Sequence, residues 1–576
     1  MCFSDWLIVG AYMALSLFIG LYFTRRASSG LGEFFLSGRN LPWWLAGTSM
    51  AAAAFSADTP LYVTGLVREH GIYENWQWWC FIMSGMLSVF FFARLWRRLG
   101  VMTDVELIDL RYSGKEAKIL RGFKALYFSF AIHTIIKAQV ILAMAKIMDV
   151  VLGWGKWRSI TISMGVTILY TALSGYWGVV MTDFFQFIIA MTGAVVLAVA
   201  AAGRAGGIAR IESVLPAHVM RFFPGLGGAA FMAFLGYVSL SWWSKYSSDG
   251  GGIIVQRMAS SRDERHSFFA TLYFNVVTFA LRTWPWVVAA LASMVLYPHF
   301  ADNEAVYPRM MMDLLPTGLK GLMLASFFAA FMSCLSTYLN LSSAYFINDF
   351  YKPFVRPGRT ERHYIGVARV MVLVLAVVTA IITAHVSSII GVFKFLIAFG
   401  SGTGLVYIMR WFWWRINAWS EISAMAASSL SAAAVYSARI LARTPYWGKL
   451  TLIIGFSTVV WIAVTLLTRP VSTEKLKAFY LRSNPGGPGW GPVRAALHAG
   501  HGTDCAEDAG AEDAGAIGAG AFEGAFAGWV YGCVFLLAFT LGLGKMVLGF
   551  YLPGSLFLAA ALAAGVGLLR QTSFAR

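Results

Sequence analysis

The stretch TSMAAAAFSADTPLYVTG, residues 48–65, decides the fold of this chain. It is apolar enough to lie inside a membrane, but Ser56, Asp58 and Pro60 in its middle disfavour a continuous helix. Backbone that leaves the helix at membrane depth must face protein or a water-filled cavity, because lipid offers it no hydrogen bonds. The stretch therefore predicts a broken membrane helix that faces a protein interior.

A second interrupted segment, WWSKYSSDGGG, lies at residues 242–252. Its polar and glycine run falls where another helix would still be inside the membrane. Each interruption opens a block of five predicted spans, residues 42–203 and 226–412. Two matching blocks that each begin with a broken helix are typical of inverted-repeat transporters with a binding site near the middle of the membrane.

The composition of the whole chain indicates the class of protein to which these two segments belong. Of the 576 residues 58% are hydrophobic and 13% are charged, whereas soluble domains carry roughly 25% charged residues. A membrane crossing takes about 20 helical residues, and the chain contains about fifteen such runs. We therefore expect an all-α polytopic membrane protein. This excludes a soluble enzyme, a secreted disulfide scaffold, a single-anchor receptor and a membrane β-barrel.

The basic residues predict the orientation. The net charge of +17 comes mainly from Lys and Arg in short loops, so the positive-inside rule explains it better than nucleic-acid binding does. The first helix is followed directly by Arg25 and Arg26, which places the N-terminus outside and, with an odd number of spans, the C-terminus in the cytoplasm. Among the loops predicted to be cytoplasmic are those that contain Arg257 and Arg410. We expect a multi-pass protein of the plasma (inner) membrane.

The predicted domain organisation has five parts. They are an N-terminal extra helix with its loop (1–41), a transport core (42–412), additional membrane helices (413–483), a flexible Gly/Ala-rich linker (484–525) and two C-terminal membrane helices (526–576). The linker is predicted because its sequence lacks an amphipathic period.

Several ionisable residues lie inside predicted spans, where a charge costs several kcal/mol unless it is paired or hydrated. They are Asp58, Lys137, Asp183, Arg282 and Lys394. His133 lies four residues before Lys137 and so shares its helix face. Such residues are expected to line a pathway or to pair with one another. The alternative for any one of them is that its side chain extends along the helix so that the charge lies at the membrane interface.

A polar stripe marks the ninth predicted span. Ser333, Ser336, Thr337 and Asn340 recur at spacings of three and four residues. Hydroxyl groups and freed backbone carbonyls are hard oxygen ligands that suit an alkali cation. The ordinary alternative is that these residues hold neighbouring membrane helices together.

Four separated stretches resemble the sodium:solute symporter family. They are FFLSGRNLPWWLAGTSMAAAAFSA (34–57), TALSGYWGVVMTDFFQ (171–186), IIVQRMAS (253–260) and AAFMSCLSTYLN with NDFYKPFVRP (329–357). The resemblance covers residues 5 to about 467 in the family's order. It implies a LeuT-type fold of five plus five inverted helices, with extra helices at both ends.

The resemblance also implies two sodium sites. The main site would use backbone oxygens at Ala52, Phe55 and Ala330 together with Ser333, and Cys334 stands where the family has a second hydroxyl. A thiol is a poor ligand for a hard cation. A second sodium site, present in some members, would use Asp183, Ser336 and Thr337.

The positions that bind substrate in relatives match less well. By resemblance they fall on Asp58, Thr59, Trp78 and Arg282, and the set that binds galactose in sugar carriers is largely absent. Basic residues such as Arg282 and Lys137 would suit a carboxylate, since Arg pairs bidentately with such groups. We therefore expect a small polar organic solute, either a sugar or a carboxylate-bearing compound.

These observations predict a secondary active transporter that couples sodium entry to solute uptake by alternating access. It would not be an enzyme, would need no cofactor beyond the coupling Na⁺, and would have the solute, sodium and the lipid bilayer as partners, with no nucleic acid. Two alternatives stay open from the residues alone. One is a proton-coupled carrier in which Asp183 or Asp58 titrates, and the other is a symporter-like membrane sensor.

Overall fold

The computed structural model describes residues 1–27, 30–437, 443–499 and 511–572. In these ranges the regular structure is helical, apart from one isolated bridge between Leu41 and Ser261. Nine described helices are long and apolar enough to cross a membrane, or ten if the bent pair Ile389–Gly400 and Gly404–Phe412 forms one span. Helices broken inside the membrane fall short of that length, so the expected total of about fifteen spans stays a prediction.

The first half of the chain contains an outer helix and the first block of the core. Its main helices are α1 (Phe3–Ala27), α2 (Trp43–Ala53), α3 (Asp58–His70), α4 (Ile72–Leu99), α5 (114–152) and α6 (Lys156–Arg204). Helix α1 packs along α6 and lies outside the block that begins with the broken pair α2 and α3.

The second block repeats the broken entry and is followed by further helices. Its members are α7 (228–244), α8 (Ile253–Ser260), α9 (Glu264–Leu296), α10 (Leu319–Val355), α11 (Glu361–Ala384), α12 (Ile389–Gly400) and α13 (Gly404–Phe412). The later helices are α14 (Ala418–Ser437), α15 (Tyr446–Leu467), α16 (Thr473–Ser483), α17 (Ala511–Val547) and α18 (Tyr551–Thr572).

Both predicted interruptions are present. Helix α2 ends at Ala53 and α3 begins at Asp58, with a tight turn between them in which the Phe55 N–H donates to the Ala52 carbonyl at 3.0 Å. Helix α7 ends at Ser244 and α8 begins at Ile253. In the second gap Gly250 and Gly252 have φ values of 88° and 73°, which glycine adopts without steric cost.

One predicted loop is absent. The apolar runs in the sequence predict two separate spans at 157–177 and 181–203, but both lie in α6, which runs for 49 residues without interruption. The residues between the two expected spans include no proline and no polar turn that would end a helix, so the helical backbone continues through them.

The predicted flexible linker is wrong for its first part. Residues 488–499 form a short 3₁₀ turn followed by the helix Gly491–Ala499. Trp490 anchors this segment because its side chain is buried and its indole N–H donates to the Trp411 carbonyl at 2.8 Å. Residues 500–510 lie outside the described residues, and α17 already begins at Ala511, before the predicted start of the last two helices.

The C-terminal pair α17 and α18 packs on the core through small residues of α17. Gly528 and Gly532 lie directly against Phe90 of α4, and the Trp529 indole N–H donates to the Met83 carbonyl at 2.9 Å. At the other end of α17, Gly544 lies against the ring of Trp284 in α9. Small residues allow such close approach between membrane helices.

Replacing Gly544 by alanine should destabilise the protein. The new Cβ would lie 1.9 Å from Cη2 of Trp284, a ring that is 2% exposed and has little room to move. Overpacking of this kind costs about 1–3 kcal/mol, so we expect a lower melting temperature in detergent. Gly455→Ala in α15 is the control, because no atom lies within 4 Å of its Cβ position. A Gly544→Ala protein that melts at or above the wild-type temperature would contradict this packing.

Candidate ion and substrate site

A buried polar cluster joins α2, α6, α8 and α10 beside the first break. At its centre the Asp183 carboxylate has no solvent exposure. Its Oδ1 accepts a hydrogen bond from the Ser333 hydroxyl at 2.6 Å, and its Oδ2 accepts one from the Ser49 hydroxyl at 2.5 Å. Helices from both blocks thus meet on one carboxylate.

The positive partner of Asp183 is Arg257 of α8. Its Nη2 lies 3.3 Å from Asp183 Oδ2 and donates to the Thr337 hydroxyl at 2.8 Å, while its Nε donates to Ser49 Oγ at 3.0 Å. The guanidinium also lies over the ring of Tyr176, 5.5 Å from its centroid. Sequence reasoning placed Arg257 in a cytoplasmic loop, and this is wrong. The side chain is fully buried because α8 continues the broken helix α7 back into the protein.

The structure brings together part of the predicted second sodium site. Asp183 and Thr337 lie around the same guanidinium, whereas the Ser336 hydroxyl donates to the Ser333 carbonyl of its own helix at 3.1 Å. A tethered cation, Arg257, therefore lies among the oxygen atoms to which the resemblance assigns the second sodium ion.

The residues predicted for the main sodium site lie on two neighbouring elements, the turn that ends α2 and the helix α10. Ala52 and Phe55 form the turn that ends α2, and on α10 Ala330, Ser333 and Cys334 are all buried. Helix α10 packs against α2, and Ser333 of α10 and Ser49 of α2 donate to the same Asp183 carboxylate, so α10 lies beside the end of α2. The Ala52 carbonyl accepts the Phe55 N–H in this turn, Ala330 lies inside the continuous helix α10, and the Ser333 hydroxyl donates to Asp183.

Two of the predicted substrate residues lie together at this break. Asp58 is the first residue of α3, and its Oδ2 accepts a hydrogen bond from the Gln139 amide at 2.7 Å. Arg282 of α9 donates from Nη1 to the Ala51 carbonyl at 3.1 Å, and its charge attracts that of Asp58. Both side chains are almost fully buried, with exposures of 9% and 4%.

Two of the other predicted substrate residues, Trp78 and Thr59, form hydrogen bonds with residues nearby in the chain, and the third, Lys137, forms none in the described residues. The Trp78 indole donates to Asn75 at 3.0 Å and packs against Phe279, and the Thr59 hydroxyl accepts from the Ser56 N–H at 3.4 Å. Lys137 is fully buried and its Nζ has no hydrogen-bond partner in the described residues.

Sequence reasoning missed three contributors to this region, which are Ser49, Gln139 and Arg257. Arg257 stood in the quoted motif IIVQRMAS, where an arginine between apolar residues is a signal of pairing inside the protein. Gln139 carried a weaker signal, as a lone amide in the apolar run of α5. Ser49 had none, because single serines are common in membrane helices.

Similarity to a known protein family identifies the class of protein to which this site belongs. The sodium:solute symporter family matches residues 34–428, which include both breaks and the Asp183 cluster. The chain belongs to the sodium:solute symporter family. It is therefore a sodium-coupled solute symporter and not an enzyme.

Relatives and a solved structure agree with this assignment. The symporter is 26% identical over 467 residues to "Sodium/glucose cotransporter 4" of Danio rerio, covering 72% of this chain and 68% of the relative. It is 22% identical over 524 residues to "Sodium/glucose cotransporter" of Vibrio parahaemolyticus, covering 84% and 93%. A solved Na⁺-coupled sialic acid symporter matches with a TM-score of 0.69 at 21% identity, covering 82% of this chain and 99% of that one. The last match confirms the LeuT-type fold.

Proposed function

We propose that the symporter binds its coupling sodium at the first break, between the carbonyl groups of Ala52, Phe55 and Ala330 and the side chains of Ser333 and Cys334. The observation that carries this proposal is the position of α10, which packs against α2 and shares the Asp183 carboxylate with it through Ser333 and Ser49. The Phe55 carbonyl lies in the break, outside both α2 and α3, where sodium would be a partner for it. The transported solute is a small polar organic molecule held beside the same break by Asp58 and Arg282.

Sodium and solute would be coupled through the backbone of the break. Residues 54–57 connect Ala53 at the end of α2 to Asp58 at the start of α3, so a cation that orders this turn also positions the Asp58 carboxylate. Each ligand then increases the affinity for the other by the same factor. Transport follows when one helix bundle moves against the other around this point.

The Asp183 cluster would bind a second sodium ion only after Arg257 moves. In the structure Arg257 already neutralises Asp183 and holds the hydroxyl of Thr337. Two cations that share these oxygen atoms would repel each other strongly. A sodium ion at Asp183, Ser336 and Thr337 must therefore compete with the guanidinium of Arg257. We therefore expect that solute binding depends on one sodium ion, with a Hill coefficient of about 1, while Arg257 pairs with Asp183.

The orientation proposed from the basic loops is supported by how those loops assemble. Arg39 donates to the Gly100 carbonyl and Arg482 to the Leu99 carbonyl, while Arg97 donates to the Ser261 carbonyl at 2.6 Å. Loops from both blocks and from α16 thus meet at one end of the molecule. We propose that this end faces the cytoplasm of a plasma (inner) membrane, with the N-terminus outside.

Sodium alone should stabilise the purified protein, which tests the proposed ion site without knowledge of the solute. Exchange of choline chloride for sodium chloride at equal ionic strength should raise the melting temperature, because sodium binds the folded state only. Ser333→Ala should abolish most of this increase, while Ser431→Ala in α14, remote from the break, should retain it. Equal melting temperatures in sodium and choline for the wild type would contradict the proposal.

Cys334→Ser should strengthen sodium binding. The substitution replaces a soft thiol by a hydroxyl, a better ligand for a hard cation, in a position that is 4% exposed and adjacent to Ser333. We expect the sodium concentration that gives half of the thermal stabilisation to fall by about three- to ten-fold. Cys533→Ser in α17 is the matched control and should leave this concentration unchanged. Weaker sodium binding in Cys334→Ser would show that the thiol does not face the ion.

A further inference from the structure

Two opposite charges lie beside the first break, each with one polar atom left unbonded. Asp58 Oδ1 and Arg282 Nε are buried and have no hydrogen-bond partner in the described part of the chain, although the other ends of both side chains are bonded. A buried polar atom without a partner costs about 1–3 kcal/mol. Such atoms are expected where a ligand completes the hydrogen bonds.

The two side chains are near one another without forming a direct ion pair. Their charges attract, yet among the described residues no nitrogen of Arg282 lies within 4 Å of an Asp58 oxygen. Arg282 is instead held by the Ala51 carbonyl and by two aromatic rings, with its guanidinium 6.0 Å from the Phe55 centroid and 5.7 Å from that of Trp286. The indole N–H of Trp286 is also buried and unbonded.

The charge balance restricts what can bind. Asp58 contributes one negative charge and Arg282 one positive charge, so a solute with a single charge would pair with one of them and be repelled by the other. An uncharged sugar would hydrogen-bond to each ion but would bring no opposite charge to either of them. A molecule with both charges would pair its positive group with Asp58 and its negative group with Arg282, through charge-assisted hydrogen bonds in which both partners are ionised.

We propose that the solute carried by this symporter is a zwitterion of the α-amino or α-imino acid class. Its carboxylate accepts hydrogen bonds from Arg282 Nε and the Trp286 indole, and its ammonium group donates to Asp58 Oδ1. The rings of Phe55 and Trp286 form the apolar wall for its carbon skeleton. This inference rests on the proposed function, because it places the solute at the same break as the sodium ion.

A thermal-shift experiment on the purified full-length protein tests this assignment. The probes are the common amino acids, the hydroxy acid and the decarboxylated amine that match each responding amino acid, and a set of hexoses, all in sodium chloride and in choline chloride. We expect at least one amino acid to raise the melting temperature in sodium, with half-saturation at least about ten-fold lower than for either single-charge analogue.

Variants assign each charge to its partner. In Asp58→Asn the half-saturating concentrations of the amino acid and of its hydroxy acid should differ by only about one- to three-fold. In Arg282→Gln the same small difference is expected between the amino acid and the amine. Arg309→Gln, which removes an exposed arginine far from the break, is the control that should keep both preferences. If the Asp58 or Arg282 variant does not fold, the matched compounds on the wild type still decide the question.

The outcomes separate this inference from the proposed function. A hexose or a monocarboxylate that stabilises the wild type in sodium at least as strongly as every amino acid would overturn the zwitterion and retain sodium coupling. A panel in which no amino acid stabilises the protein would overturn it as well. Solute stabilisation that is equal in sodium and choline would instead contradict the proposed ion site.

Discussion

Asp183→Asn is expected to unfold the symporter or to reduce its stability by about 3–5 kcal/mol, because the substitution leaves the Arg257 guanidinium buried without a counter-charge. Both side chains have zero exposure, so solvent cannot compensate for the lost charge. The asparagine amide would also replace one of the two oxygens that accept from Ser49 and Ser333. Melting temperature in detergent and the monodisperse fraction after purification measure the effect.

Two further variants test whether the loss of stability comes from the unpaired charge of Arg257. Asp313→Asn removes a carboxylate that pairs with Arg309 at the surface, where an ion pair contributes about 0–1 kcal/mol, so it should melt near the wild-type temperature. The double variant Asp183→Asn/Arg257→Gln removes both charges and should recover part of the lost stability. An Asp183→Asn protein as stable as Asp313→Asn would mean that Asp183 does not neutralise Arg257.

Glu421→Gln should be comparably damaging. The Glu421 carboxylate, in α14, has no exposure and accepts from Lys124 Nζ at 2.8 Å, from Arg410 at 3.2 Å and from the Tyr112 hydroxyl at 2.7 Å. Glutamine keeps the shape but removes the charge, which leaves Lys124 buried without a counter-ion. We expect a loss of about 3–5 kcal/mol and a correspondingly large fall in melting temperature.

Glu264→Gln provides the matched comparison for Glu421. Glu264 pairs with Arg98 at 2.8 Å, but the two side chains are 36% and 35% exposed, so the substitution should cost less than about 1 kcal/mol. If both glutamine variants lose similar stability, burial does not determine the importance of these ion pairs and the large effect expected for Glu421 is wrong.

The Glu421 network also connects several helices at one end of the molecule. Arg410 of α13 bonds to Asp249 in the gap between α7 and α8 at 2.6 Å, and Lys124 connects the same network to α5. At the opposite end, Lys146 of α5 bonds to Glu304 at 2.7 Å, and Glu304 accepts from the Ile390 N–H that begins α12. These two networks lie at opposite ends of α5, and alternating access requires one end of the molecule to open at a time.

Sequence patterns predicted the parts of the fold that depend on local chemistry. The proline and polar residues near Asp58 and the glycine run at 250–252 predicted both broken helices, because those residues disfavour continuous helix wherever they occur. The apolar composition predicted an all-helical membrane protein. The continuity of α6 was not predicted, since uniform hydrophobicity does not mark where a helix crosses the membrane and turns.

The polar clusters were predicted less completely, for a physical reason. Asp183 and Ser333 could be identified by their position in apolar spans, but their partner Arg257 was assigned to a loop by counting basic residues near helix ends. Which charges meet depends on how α8 folds back towards α2 and α6, and that is a property of tertiary packing. The same holds for Gln139, which meets Asp58 across two helices.

The most direct test of the central claim is the entry of ²²Na⁺ into proteoliposomes that contain the purified protein. Pools of amino acids, sugars and carboxylates are added outside in turn, with protein-free liposomes as the blank. We expect that one pool accelerates ²²Na⁺ entry and that its labelled solute accumulates only with an inward sodium gradient. Sodium entry unaffected by every pool, or equal solute accumulation with choline in place of sodium, would contradict it.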